Sequence, residues 1–368
     1  MRSKTRVTAG ICLVVGVLVC GCAATRSGAP VARFTTTAPA TTTTDPATVG
    51  GSSIGPGPYR IEATVAVGEN PRSVAIDPGL NRAYVAHLSD SDEEQSVSVI
   101  DTRTHTVTAT IPAGRVFPGY PQSIAVDPVT HLVYLVCGNS AGKVLVISPD
   151  SNTVTATIEF DGDPAAVVVD SVRGIVYVGN RFSDTVTVID AVTRAVVTTV
   201  PVGDDVRGLA VDPASHDLWV VSGDGVSVLD AATYTVSTTI PVGNDPRYIA
   251  IDPRHRTAYV THSTENLVSV IDIDSRTRAD SVSLGIRGKA FGAVIDPAEH
   301  TVYFTGMAAG TVTMVDTRTR TLTATRSSGI TRSTTYGSAT WGAAVDPATH
   351  YLYVTNENAD QIEVIAPR

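Results

Sequence analysis

Three arginines stand at one recurring place in this chain. Arg72, Arg207 and Arg247 each lie five residues before an aspartate: Asp77, Asp212 and Asp252. The same offset from four further aspartates, Asp127, Asp170, Asp296 and Asp346, gives Gln122, Ala165, Phe291 and Trp341. Guanidinium groups hold oxyanions through charge-assisted hydrogen bonds in a fixed fork. Three of them around one opening in an acidic protein read as a local positive ring suited to an anionic ligand. The competing reading pairs each arginine with an acidic neighbour, such as Glu69, Asp205 or Asp245, and makes it a tie between structural units.

Other chemistry-bearing residues fall into place less readily as a site. Of eight histidines, His131, His216, His255, His300 and His350 share one turn, and His105 sits in another turn, expected to be exposed. His87 and His262 each end a strand on the face where ligands would approach, but in units too far apart to share a metal. "GNSAG" at 138–142 matches G-x-S-x-G by pattern alone, since a nucleophile elbow needs a strand-to-helix turn. "DSDEE", Asp90 to Glu94, reads as a solvated acidic loop, because it lacks the glycine and spacing of a calcium loop. Cys137 ends the strand "VYLVC" and reads as a small packed hydrophobe. The sequence has no H-E-x-x-H, C-x-x-C-H or P-loop, so no cofactor or metal is expected and no catalytic residue is assigned.

The elements that must position these residues repeat. Seven residues after each anchor aspartate comes an aromatic: Tyr84, Tyr134, Tyr177, Trp219, Tyr259, Tyr303 and Tyr353. In a chain only 5% aromatic this is no accident. The anchors are spaced by 50, 43, 42, 40, 44 and 50 residues. Each unit reads as four short strands. A small-residue strand ends in Asp-Pro, which suits a type I turn. Two Val-rich strands follow, and a Thr/Val-alternating strand closes the unit with one wet face. Four strands recurring seven times form an all-β fold, a seven-bladed β-propeller of four-stranded antiparallel blades. The first strand, Arg60 to Gly68, has the character of a fourth strand, while the chain ends on a third, "QIEVIAPR". The N-terminal strand is therefore predicted to complete the last blade against Ile362 to Ile365, removing two open edges.

The segment "YVTN" at Tyr353 to Asn356, with "VGN" and "VID" in sister repeats, resembles the YVTN (YncE-like) family of bacterial propeller repeats over residues 59–368. That resemblance implies the fold and leaves the function open, because such propellers include binding proteins, surface antigens and enzymes. The final Asn position varies here, as His87, Cys137, Asn180, Ser222, His262, Gly306 and Asn356.

Departures from the repeat cluster on one face. The expanded segments are residues 88–95, the passage "AGRVFPGYPQ" and the passage "RSSGITRSTTYGSATW". They form an arc over blades 7, 1 and 2 and carry Arg115, Phe117, Tyr120, Arg332, Tyr336 and Trp341, the residue types enriched at binding hot spots.

The ends set an address. Arg2, Lys4 and Arg6 precede the apolar run Ile11 to Val19, too short for a spanning helix but suited to a secretory signal. Val19-Cys20-Gly21-Cys22 resembles a bacterial lipobox with Cys22 as the lipidated residue; the alternative is an ordinary cleaved signal. Residues 1–21 are thus expected to be a lipoprotein signal peptide, 22–58 a disordered Thr/Pro/Ala/Gly-rich tether, and 59–368 the propeller. Losing Arg2, Lys4 and Arg6 with the signal takes the formal charge from −9 to −12, which disfavours nucleic acid as a partner. The expected function is a non-enzymatic, membrane-anchored binding module in the cell envelope. Its partner would be a protein, peptide, glycan or small anionic ligand on the expanded-loop face. The rival class is a propeller enzyme, of lactonase, lyase or dehydrogenase type, working at the channel mouth.

Overall fold

The structure is a computed structural model, described for residues 59–87, 95–114, 123–137, 141–223, 225–285, 290–306, 310–327 and 342–367. Among these residues, 28 strands form seven four-stranded antiparallel sheets. Blade 1 comprises Pro71–Asp77, Arg82–His87, Gln95–Asp101 and Thr106–Gly114, from the channel outward. The innermost strands of successive blades touch one another around a closed ring, with blade 7 returning to blade 1. The fold is a seven-bladed β-propeller.

The anchor aromatics explain why the sheets stack. All seven are buried, and each packs into a cluster shared with the following blade. Tyr84 joins Leu135 and Ile147 of blade 2, for example, and Trp219 joins Ile249 and Ile271 of blade 5. Tyr353 of blade 7 packs on Val74 and Ile100 of blade 1, so the same contact closes the ring. Middle strands are buried on both faces, as in Ile175–Asn180, whereas the outer strand Val196–Pro201 is mostly exposed. The Thr/Val alternation of outer strands therefore serves a half-wet surface.

Closure takes the predicted form. Tyr59–Ala66 pairs with Gln361–Pro367, with Tyr59 opposite Pro367 and Ala66 opposite Gln361. A bulge between Ile61 and Ala63 adjusts the register. The outermost strand of blade 7 thus comes from the start of the propeller and its inner three from the end.

The recurring histidines are clasps between neighbouring blades, set in the turns that join first strands to second strands. Each anchor aspartate is buried and turns its carboxylate onto its own turn; Asp127 accepts from the Val129 N–H at 2.9 Å and the Thr130 hydroxyl at 2.7 Å. Four residues on, Asn81, His131, Gly174, His216, Arg256, His300 and His350 all adopt positive φ. From that position His131, His216 and His350 donate Nδ1–H to the preceding blade's Asp77, Asp170 and Asp296, at 2.9, 3.0 and 2.8 Å. Arg256 does the same to Asp212 at 2.7 Å. His255 lies one position earlier and bonds its own Asp252 at 2.7 Å, so His300 packs against the His255 ring instead. His105, expected to be exposed, is half-buried, with Nδ1 3.2 Å from the Tyr353 hydroxyl.

Candidate functional site

The inner strand of a blade would normally bury alternate side chains between blades, and a local irregularity redirects the residue five before the anchor. The ladder between the first two strands shifts register between Pro71 and Ser73, between Pro164 and Ala166, between Pro246 and Ile249, and between Ala290 and Gly292. Arg72, Ala165, Arg247 and Phe291 are therefore bulge residues, and a bulge re-aims the side chain it carries. The amide freed by the irregularity is taken up in blades 5, 6 and 7 by a threonine of the second strand. The N–H groups of Tyr248, Gly292 and Gly342 donate to Thr261, Thr305 and Thr355 at 3.1, 2.9 and 2.9 Å. This gives the threonine of "YVTN" a structural reason. Gly208 lets the inner strands of blades 4 and 5 close up, since a Cβ there would lie 2.7 Å from the Arg247 carbonyl oxygen.

The arginines at this mouth are mostly buried and partly compensated. Arg207 donates Nη1–H to Asp245 and Nη2–H to Asp205, bridging the segments that enter blades 4 and 5. Arg181 joins from blade 3, its Nε–H donating to Asp205 at 2.7 Å. Arg72 pairs with Glu357 at 2.5 Å. Glu69, the partner weighed for it from sequence, is exposed. The blade-tying reading of Arg207 is therefore realised through Asp205 and Asp245. Burial alone would raise the Asp245 pKa, but hydrogen bonds from Ser263 and Arg207 and the charges of Arg247 and Arg207 bring it down to about 2. A carboxylate held ionised in this way is not a proton donor near neutral pH.

Arg247 is the guanidinium with the least compensation. Its Nη2–H reaches Asp245 at 3.3 Å, its Cζ lies 5.6 Å from the Phe291 ring centroid, and its buried Nε has no acceptor among the described residues. Burial, and then the like charge of Arg207, lower its pKa. The Nε of Arg207 is likewise buried without an acceptor. Arg72, Arg181, Arg207 and Arg247 are thus interleaved with Glu357, Asp205 and Asp245.

Beneath the mouth lies an axial cavity of about 100 Å³. Its charged and hydroxylic lining is Arg72, Arg207, Ser73, Ser123 and Tyr248, and the rest is glycine, alanine, valine and leucine. Ser73, Ser123 and Tyr248 hold the position after the bulge, where Ala166, Gly208, Gly292 and Gly342 stand in the other blades. Comparing repeats at that offset exposes Tyr248 as the one large side chain, a signal the spacing of the arginines did not carry. Glu357 and Arg181 were equally invisible from sequence, because both lie just past the second strand and meet the mouth only through the ring's curvature.

The two histidines expected on the ligand-facing surface are instead buried. The His87 ring packs under Gly68 with Nε2 2.8 Å from Ser98 Oγ, and burial lowers its pKa to about 4. His262 donates Nδ1–H to the Asn244 carbonyl oxygen at 2.8 Å and sits 2.9 Å from Ser269 Oγ through Nε2. They do the work that Asn180 does in blade 3, reaching a hydroxyl of the third strand at 2.9 Å from beneath the loop that enters the blade. The final repeat position faces inward for this reason. Cys137 is buried, and burial raises its thiol pKa to about 12, in line with a packed hydrophobe. Among the described residues, no group of three or more His, Cys, Asp or Glu has metal-holding geometry.

Arg72, Arg207, Arg247 and Phe291 come together at the mouth. Gln122, Trp341, Arg115, Phe117, Tyr120, Arg332 and Tyr336 lie outside the described residues, as do Asp90 to Glu94 and Cys22.

No protein-family model matches the chain. Over 128 residues, 35% of the chain, it is 33% identical to the seven-bladed beta-propeller protein Rv1057 of Mycobacterium tuberculosis. That match spans 31% of the curated relative's own length. Among solved structures, a chain in the crystal structure of a mitotic checkpoint complex superposes with a TM-score of 0.69 at 14% identity. It covers 90% of this chain and 99% of that one, a likeness of fold. With seven four-stranded blades closed into a ring, the chain is a seven-bladed β-propeller.

Proposed function

We propose that this propeller is a binding module that grips an anionic group of its partner at the mouth of its channel. The observation that carries the reading is Arg247: a partly exposed guanidinium beside the like-charged Arg207, with a single ion pair at 3.3 Å. A guanidinium with five N–H donors and one long ion pair keeps donors for an incoming oxyanion. In the same reading, residues 1–21 are a lipoprotein signal, Cys22 carries the lipid, and 22–58 tether residues 59–368 outside the cytoplasmic membrane. The signal-like start, the Thr/Pro-rich composition and the YVTN resemblance support it.

The test is fluorescence anisotropy of the mature chain with an oligo-glutamate peptide and with a neutral peptide of equal length. Tight binding of the acidic peptide alone is expected, weakening about tenfold in Arg247→Gln, as the loss of one charge-assisted hydrogen bond implies. Equal binding of both peptides, or no change in Arg247→Gln, would overturn the reading.

A further inference from the structure

The axial cavity is chemically one-sided. None of its lining side chains is a carboxylate, while Arg72 and Arg207 place guanidinium groups in its wall. The two serines have their acceptor capacity engaged: Ser73 Oγ accepts from the Ile124 N–H at 3.4 Å and Ser123 Oγ from the Val167 N–H at 3.2 Å. Each bond comes from the inner strand of the next blade, which fixes the oxygen and leaves the hydroxyl proton to donate elsewhere. Tyr248 adds a phenol whose pKa is raised by burial, against the lowering field of Arg247, Arg72, Arg181 and Arg207, so it stays a protonated donor. Arg207 engages both Nη groups with Asp205 and Asp245 and contributes its positive charge to the cavity wall.

We infer that this cavity is a specific site for a free small oxyanion of the phosphate or short-chain carboxylate class. The inference rests on the binding reading above and goes a level deeper, from the mouth to the axis. Donors converge from at least four blades: Arg72 and Ser73 from blade 1, Ser123 from blade 2, Arg207 at the entry to blade 4, and Tyr248 from blade 5. Space for one water takes about 10–15 Å³, so the cavity takes several heavy atoms, yet it falls well below the roughly 300 Å³ at which pockets for larger organic ligands begin. Guanidinium and hydroxyl groups with no carboxylate among the lining side chains favour negative charge, and the small volume selects a compact ion over a polymer's side group. A bound oxyanion would also cross-link blades that otherwise meet only through their neighbours, tying ring stability to ligand concentration.

The experiment is isothermal titration and thermal melting of the mature chain with inorganic phosphate and with malonate, at constant ionic strength set by chloride. Saturable binding with a rise in melting temperature is expected from at least one of the two. Tyr248→Phe, which keeps the ring and loses one donor, is expected to weaken it about tenfold. Ala165→Leu, which fills the cavity and removes no donor, is expected to abolish it. Arg247 does not line the cavity, so oligo-glutamate binding should survive both substitutions. Absence of phosphate and malonate binding while the acidic peptide still binds would overturn this inference alone. Saturable binding unaffected by Tyr248→Phe and Ala165→Leu would also overturn it, placing the ion at the mouth. Loss of all three ligands in the wild-type chain would overturn both readings.

Discussion

The Tyr353 hydroxyl donates to the Thr102 carbonyl oxygen at 3.2 Å, joining residues 251 positions apart across the seam between blade 7 and blade 1. Tyr259 makes the same bond to Thr317, at 3.3 Å, between blades 5 and 6. Tyr177 occupies the equivalent place in blade 3 with its hydroxyl buried and without a partner among the described residues.

Removing these hydroxyls should therefore have unequal effects. Tyr353→Phe leaves a buried carbonyl without its donor and is expected to cost about 1 kcal/mol, whereas Tyr177→Phe should be neutral or slightly stabilising. Chemical denaturation of the two variants checks the contrast. A cost for Tyr177→Phe equal to that for Tyr353→Phe would contradict it.

Deleting residues 59–66 exposes the edge of the strand Gln361–Pro367 and removes Val65 from the cluster that seals blade 7 to blade 1. An unpaired strand edge templates association with other chains. The truncated protein is expected to melt about 10 °C lower, the shift that a loss of about 4–5 kcal/mol produces at roughly 2 °C per kcal/mol in a domain of this size. It should also form oligomers by light scattering. Unchanged melting and a monodisperse monomer would refute the velcro closure.

Arg207 and Arg247 differ in what they hold. Arg207→Gln leaves Asp205 and Asp245 beside each other without their bridge and is expected to destabilise by about 2 kcal/mol, below the range of about 3–5 kcal/mol for a fully buried pair because both carboxylates stay partly open. Arg247→Gln, which removes only the 3.3 Å pair with Asp245, should cost less than half as much. Their acid limbs should differ as well. The Asp245 pKa lies near 2 in the fold, below its ordinary value, so its stabilisation is present above about pH 4 and disappears as the pH falls toward 2. That limb should flatten in Arg207→Gln, as urea midpoints between pH 2 and 5 would reveal.

His87 makes a separate prediction at milder pH. Its folded pKa is lowered to about 4 from an ordinary value near 6.5, because burial disfavours the imidazolium. The unfolded chain thus takes up a proton first as the pH falls. Stability is complete above about pH 6.5 and declines between 6.5 and 4, by up to about 3 kcal/mol. His87→Asn, the residue that sister blades carry as Asn180 and Asn356, should remove this decline while keeping the fold. A wild-type stability curve flat from pH 7 to 4.5 would count against a neutral buried His87.

Much of this was legible in the sequence because it repeats. The Asp-to-aromatic spacing marks seven blades, since a turn-forming carboxylate and a large inter-blade side chain are each needed once per blade. The stray first strand and missing last one foretold the closure. The mouth was half legible. Arg72, Arg207, Arg247 and Phe291 were found by offset, and Asp205 and Asp245 as acidic neighbours of Arg207, yet Glu357 was not, because it meets Arg72 from the other end of the chain. The histidines were misjudged where periodicity gives no direction: His87 and His262 end strands near the loop face, but the side chain at that position points under the incoming loop.

By itself the sequence determined the number of blades, the order of strands within each and the place where the ring shuts, since these follow from local hydrogen-bonding and packing needs repeated in every unit. Only the tertiary structure decided which charges meet. Bulges in blades 1, 3, 5 and 6 re-aim one residue each, and the ring's curvature sets Arg207 between Asp205 and Asp245 while Arg247 keeps a single 3.3 Å pair with Asp245. Distances across that axis depend on closure, and no local pattern along a chain encodes them.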